Sequence, residues 1–101
     1  MKSLKEIITI IESHKGELKS KYKVNEIGIF GSFVRGEHKE TSDIDIIVEF
    51  SSPIGFFKFL ELEEYLGELL YLKVDLVSKK ALKPRIGKYI LREAIIIWKE
   101  Y

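Results

Sequence analysis

Two apolar, β-branched runs constrain this chain most, VNEIGIF at 24–30 and DIDIIVEF at 43–50, held apart by the polar stretch 31–42. The first suits a strand buried on both faces, and the Ile and Val of the second argue for another strand. Between them Gly31-Ser32 ends the first strand and Gly36 breaks whatever turn follows, so the order is strand, loop or short helix, strand.

The flanking segments supply the rest of a core. Ser3 and Glu6 have the spacing of a capping box, and Leu4, Ile7, Ile8, Ile11 and Leu18 recur at helical intervals. They predict one helix over 3–20, its end weakened by Gly16. Ser52-Pro53 reads as an N-cap and first helical residue, opening a helix to about 70 with Phe56, Phe59, Leu60, Glu63, Leu66 and Leu70 on its mostly apolar face. KVDLVS at 73–78 is a third strand, and a Pro-initiated helix follows at about 84–92. The three isoleucines of AIIIWKE favour a closing strand over a continuation of that helix. The expected architecture is one α/β (α+β) domain over 1–101, a mixed sheet of about four strands packed with three to four helices.

Composition narrows the function classes. With 46% hydrophobic and 12% aromatic residues a core can form without disulfides or a structural metal. The absence of cysteine excludes a disulfide framework, a thiolate zinc site and a cysteine nucleophile, and it fits a reducing cytoplasm. Glu6 and Glu12 interrupt the apolar residues of the N-terminus, and nowhere is there an apolar run of about 18 residues, so a soluble cytoplasmic protein with no membrane association is expected. Seventeen Lys+Arg against 16 Asp+Glu give a net charge of +1, which argues against stable nucleic-acid binding. Any nucleotide contact must therefore be local. His14 and His38 have no partner at metal-ligand spacing and read as surface histidines. Phe56, Phe57, Phe59, Tyr65 and Trp98 read as core or as an interface with a partner or a second copy, since no basic groove accompanies them. The lysines at 79–88 read as a solvated face.

The chemistry-bearing residues surround the first two strands. Side chains two apart on a strand share a face, so Asp43 and Asp45 present two carboxylates to one side, about 7 Å apart at their Cα atoms. A hard divalent cation with oxygen ligands resolves their repulsion, and Mg²⁺ is its natural identity. Asp75 lies between Val74 and Leu76 in the third strand; if that strand neighbours the second, three carboxylates converge, enough for two Mg²⁺ ions. Asp75 could then be ligand, base or both, and the competing reading is a buried pair with a lysine or arginine. Gly31-Ser32 allows close approach of the backbone to an anion, and the turn that follows would point N–H groups at phosphates. Arg35, one of only three arginines, could reach the same phosphates or brace the loop against a carboxylate. Alone, Gly-Ser is an ordinary turn and Asp-x-Asp an ordinary strand entrance; their spacing, with Arg35 and Asp75, gives them weight.

The run IFGSFVRGEHKETSDIDIIV resembles the signature of the DNA polymerase beta type nucleotidyltransferase superfamily, a Gly-Ser followed after ten residues by Asp-x-Asp. More narrowly, Gly-Ser, Arg-Gly and Ser-Asp-x-Asp together are similar to the minimal nucleotidyltransferase subgroup. The resemblance implies a palm-like sheet, nucleotide phosphates held by Gly31 and Ser32, Mg²⁺ held by Asp43 and Asp45, and Asp75 as third carboxylate. Arg35 matches the subgroup's arginine and is assigned to the nucleotide. Many such domains are antitoxins that transfer AMP from ATP to a HEPN-domain RNase toxin, which implies a Mg²⁺-dependent protein adenylyltransferase here. The alternative is a module that neutralises its partner by masking alone, with a vestigial or sensory nucleotide site. Transfer to an aminoglycoside-like acceptor normally calls for an added helical domain and is disfavoured.

Overall fold

In the computed structural model, which describes residues 2–100, the two runs become the central strands of a four-stranded sheet. These are β1 (Val24–Phe30) and β2 (Ile44–Phe50), paired antiparallel. The third strand, β3 (Val74–Ser78), lies parallel to β2, and the closing strand, β4 (Ile95–Lys99), lies antiparallel to β1, giving the order β3-β2-β1-β4. The mixed sheet and the closing strand are as expected. A parallel pair needs a crossover, and the long helix Phe56–Leu70 between β2 and β3 provides it.

Two short helices precede β1, where one was expected. They are α1 (Leu4–Ser13) and α2 (Lys15–Tyr22), separated at His14, whose φ of −107° and ψ of 14° leave the helical region. The break falls two residues before Gly16, at a place where side chains take over a backbone carbonyl: Ser13 Oγ donates to Ile10 O at 2.7 Å and His14 Nδ1 lies 2.8 Å from the same oxygen. The expected capping box forms, Ser3 Oγ accepting the Glu6 N–H at 3.1 Å and Glu6 Oε1 accepting the Ser3 N–H at 3.3 Å. Ser3→Ala is expected to cost about 1 kcal/mol, read as a melting temperature lower by about 4–8 °C.

The turn 32–35 is a one-turn helix, α3 (Ser32–Arg35), ended as anticipated by Gly36 at φ +73°. The crossover helix, α4 (Phe56–Leu70), begins three residues later than Ser52-Pro53 suggested, because Gly55 at φ +77° makes the turn into it. Its buried face is Leu62, Leu66 and Leu70, so Phe56 and Leu60, expected on the apolar face, are exposed. After a 3₁₀ turn, Lys79–Ala81, the last helix is α5 (Pro84–Glu93), with Pro84 in its first turn. Counting the split first helix and α3, there are five α-helices among the described residues. Among the described residues no helix is long and apolar enough to cross a membrane.

The core lies on one side of the sheet. Ile7, Ile11, Leu18 and Tyr22 of α1 and α2 and Leu62, Leu66 and Leu70 of α4 pack with Ile27, Ile29, Ile44, Ile46 and Val48. Alternation along the strands then sends Phe30, Asp45, Ile47 and Glu49 to the opposite side. That second side carries the charged residues.

Candidate active site

Along the second face of the sheet, acidic side chains occur at both ends and are treated differently. At one end the buried Glu26 accepts from Lys79 Nζ at 3.0 Å, and Glu49 stands 3.8 Å from the same ammonium. Here one cation is paired with both carboxylates. At the other end Asp45 sits directly opposite Asp75 in the parallel β2–β3 register, and among the described residues neither forms an ion pair. Asp75 is exposed, contrary to a buried pair with a lysine or arginine. Asp43, placed by its sequence at the head of the strand, lies one residue before β2 begins and is also exposed.

The three carboxylates nevertheless feel one another. Asp45 is held above the usual carboxylate range first by burial, then by the charges of Asp75 and Asp43 and by a hydrogen-bonding contact with Asp75, with Arg35 opposing. Its folded pKa lies above its unfolded one, so its contribution favours folding below the unfolded value and is lost as pH rises through the folded value. When ionised, Asp45 is therefore a destabilising charge. Asp45→Asn is expected to raise the melting temperature at pH 7 and to leave it unchanged near pH 3, a difference that two thermal melts reveal.

Repulsion of this kind is what a divalent cation relieves, and the oxygen-only donor set suits a hard ion such as Mg²⁺. Asp43, Asp45 and Asp75 are the residues that would hold it. Their side chains are not gathered about one point: among the described residues no group of three or more His, Cys, Asp or Glu is arranged to hold a metal.

Against this acidic end lies the loop that follows β1. Gly31 has φ +81° and ψ −153°, a conformation open essentially to glycine alone, and a Cβ there would overlap Asp45 Oδ2 and stand 3.0 Å from Asp45 Cγ. The absent side chain is thus what lets the loop and the carboxylate touch. Ser32 follows, half-buried, at the first position of α3. Gly31, Ser32 and Asp45 are brought together, with Asp75 adjacent across the sheet.

Arg35 takes the bracing alternative. Its Nε donates to Glu37 Oε1 at 2.7 Å and its Nη1 to Glu93 Oε1 at 2.5 Å. The same Glu93 accepts the Gly31 N–H through Oε2 at 3.0 Å, and these two donors hold its carboxyl below the usual range. Glu93 is the site residue that sequence reasoning missed. A signal was present: it is a carboxylate at the end of a helix, where the macrodipole favours cations. His38, read as a surface histidine, instead stacks on Phe33 of α3 at 4.1 Å between ring centroids, with its Nδ1 buried. His14 likewise packs edge-on against Tyr65 rather than standing free.

Known proteins share the sequence pattern and the fold of this chain. The family model described as "Nucleotidyltransferase domain" matches residues 11–97. A curated relative from Thermococcus cleftensis, protein adenylyltransferase MntA, is 53% identical over 96% of this chain and 98% of its own length. Among solved structures, a chain of a toxin-antitoxin complex with AMP-PNP is 25% identical at TM-score 0.75, covering 92% of this chain and 73% of that one. A chain of the complex between a tri-AMPylated Shewanella oneidensis HEPN toxin and its MNT antitoxin shares the fold, at TM-score 0.66 and 22% identity over 92% of this chain and 69% of that one.

Proposed function

Since this chain belongs to the nucleotidyltransferase domain family and is a nucleotidyltransferase, we propose that it transfers AMP from ATP to a partner protein. The observation that carries the reading is the acidic pair Asp45–Asp75, in register on parallel strands, with no ion pair to it among the described residues and with Asp45 against Gly31. The name of the 53% identical relative supports adenylyl transfer to protein in particular.

In this reading Gly31 and Ser32 hold the phosphates of ATP, and Asp43, Asp45 and Asp75 would hold Mg²⁺, which would offset the charge of the phosphates and of the attacking oxygen. A hydroxyl oxygen of the acceptor attacks the α-phosphorus. A new oxygen–phosphorus bond forms as the bond from the α-phosphorus to the bridging oxygen breaks, pyrophosphate leaves, and the hydroxyl proton passes to Asp75. Asp75 is exposed, so a proton accepted there is passed on to water. Asp45, half-buried between Gly31 and Asp75, sets the geometry rather than shuttling protons.

The acceptor is a protein that docks over the exposed end of the sheet, and we take it to be a HEPN-domain toxin for which this chain is the antitoxin. The solved toxin-antitoxin relatives support that reading. Exposed Tyr71, where α4 ends and the chain turns into β3, offers apolar area for a partner at that end. Incubation with α-labelled ATP, Mg²⁺ and a lysate of the source organism tests it, beside an Asp43→Asn/Asp45→Asn control. Label on one discrete protein, absent from the control, is the expected result. No label despite a stable complex with a co-purifying protein would replace catalysis by masking.

A further inference from the structure

Glu93 ends α5, whose other charged side chains, Arg85, Lys88 and Arg92, are all cationic. A negative charge at that end faces the free carbonyls of the last helical turn, an unfavourable placement in isolation. What offsets it comes from 58 and 62 residues earlier in the chain: the guanidinium of Arg35 and the N–H of Gly31, one on each carboxylate oxygen. Gly31 is the N-cap of α3 and Arg35 its last residue, so a single carboxylate clasps both ends of the one-turn helix.

Gly31 is consequently gripped from two sides. Its N–H is held by Glu93, while its Cα lies so close to Asp45 that no Cβ fits between them. The spacing between the loop and the acidic pair therefore depends on where Glu93 pins the loop. The charge of Arg35 is met twice, by Glu93 and by Glu37, which suits a strut better than a phosphate ligand.

We propose that Glu93 is a positioning residue for nucleotidyl transfer: acting through Gly31 and Arg35, it fixes the phosphate-binding loop at the distance from Asp45 that the reaction needs. The inference rests on the reading of residues 31–45 and Asp75 as the nucleotide site. Displacement of a reacting group by about 1 Å is enough to slow an enzyme about 100-fold, so a clasp remote from the chemistry has a large kinetic lever.

The experiment compares wild type, Glu93→Ala, Glu93→Gln, Arg35→Ala and the Arg35→Ala/Glu93→Ala double variant. Readouts are melting temperature, affinity for Mg²⁺ with AMP-PNP by calorimetry, and kcat and KM for ATP with the labelled acceptor. Glu93→Ala is expected to weaken AMP-PNP binding and lower kcat/KM by about 10- to 100-fold. Glu93→Gln, which keeps one good acceptor oxygen, recovers part of the loss. The double variant loses no more than the worse single one, because both remove the same clasp. A merely structural glutamate would lower the melting temperature while leaving affinity and kcat/KM of the folded protein unmoved, and that result overturns the proposal. So do losses that multiply in the double variant. If Glu93→Ala does not fold, Glu93→Gln and Arg35→Ala decide by the same readouts. Transfer intact but insensitive to Glu93 refutes the clasp and spares the proposed function. AMP-PNP binding that weakens in Glu93→Ala, with no acceptor ever labelled, does the reverse.

Discussion

Replacing Asp43 and Asp45 together by Asn is expected to lower the rate of AMP transfer by at least about 1000-fold, equivalent to about 4 kcal/mol of transition-state stabilisation. The reason is electrostatic rather than steric. Asn is nearly the same size and shape, so the β2 register with β1 and β3 should survive. What goes is the charge that draws a divalent cation and, with it, the triphosphate. Removing it also relieves the burial cost, and with it the repulsion from Asp75, that push the Asp45 pKa up. The double variant should thus be as stable as the wild type or more so, and catalytically silent, the usual signature of an active site that costs its protein stability. Added Mg²⁺ should raise the melting temperature of the wild type by mass action and leave that of the double variant where it was. Steady-state transfer assays and thermal melts with and without Mg²⁺ check both halves. A double variant that keeps more than about a tenth of the activity would remove these carboxylates from the chemistry.

Gly31→Ala should be the most damaging single methyl in the chain. Two independent costs coincide there. The backbone at φ +81° and ψ −153° lies in a region that costs an L-residue about 1–3 kcal/mol, and the added Cβ overlaps the Asp45 carboxylate, so that carboxylate must leave its place beside the loop or the loop must move. We expect the melting temperature to fall by more than about 10 °C and transfer to become undetectable. Gly36→Ala is the matched control. Its φ of +73° also disfavours a side chain, but it lies in the left-handed helical region and a Cβ there meets nothing within 4 Å. Its cost should stop at about 1–2 kcal/mol, with nucleotide binding retained. Equal effects of the two substitutions would mean that backbone conformation alone, and not contact with Asp45, makes Gly31 necessary.

Much of the fold and part of the site could be read from the chain before folding was considered. VNEIGIF and DIDIIVEF announce strands because β-branched runs of that length have few other ways to bury themselves, and their bounds in the structure differ from the reading by at most one residue. The capping box at Ser3, the stop at Gly36 and the Pro84 helix start were legible because each depends on residues within a few positions of one another. Gly31, Ser32, Asp43 and Asp45 belong to the same class, since all four lie within one strand-turn-strand unit.

The tertiary structure decided the rest. Whether Asp75 met Asp45 depended on β3 adding to β2 in parallel, in a register set by the α4 crossover. The buried face of α4 proved to be Leu62, Leu66 and Leu70, the residues that pack on the sheet, which leaves Phe56 and Leu60 exposed. The distant partner of Arg35 proved to be Glu93, 58 residues on, a pairing that no local pattern encodes. Local chemistry is written in neighbouring residues because backbone geometry carries it over a few positions. Contacts between distant segments depend on the packing of whole elements, and only the folded chain brings Glu93 to Gly31 and Asp75 to Asp45.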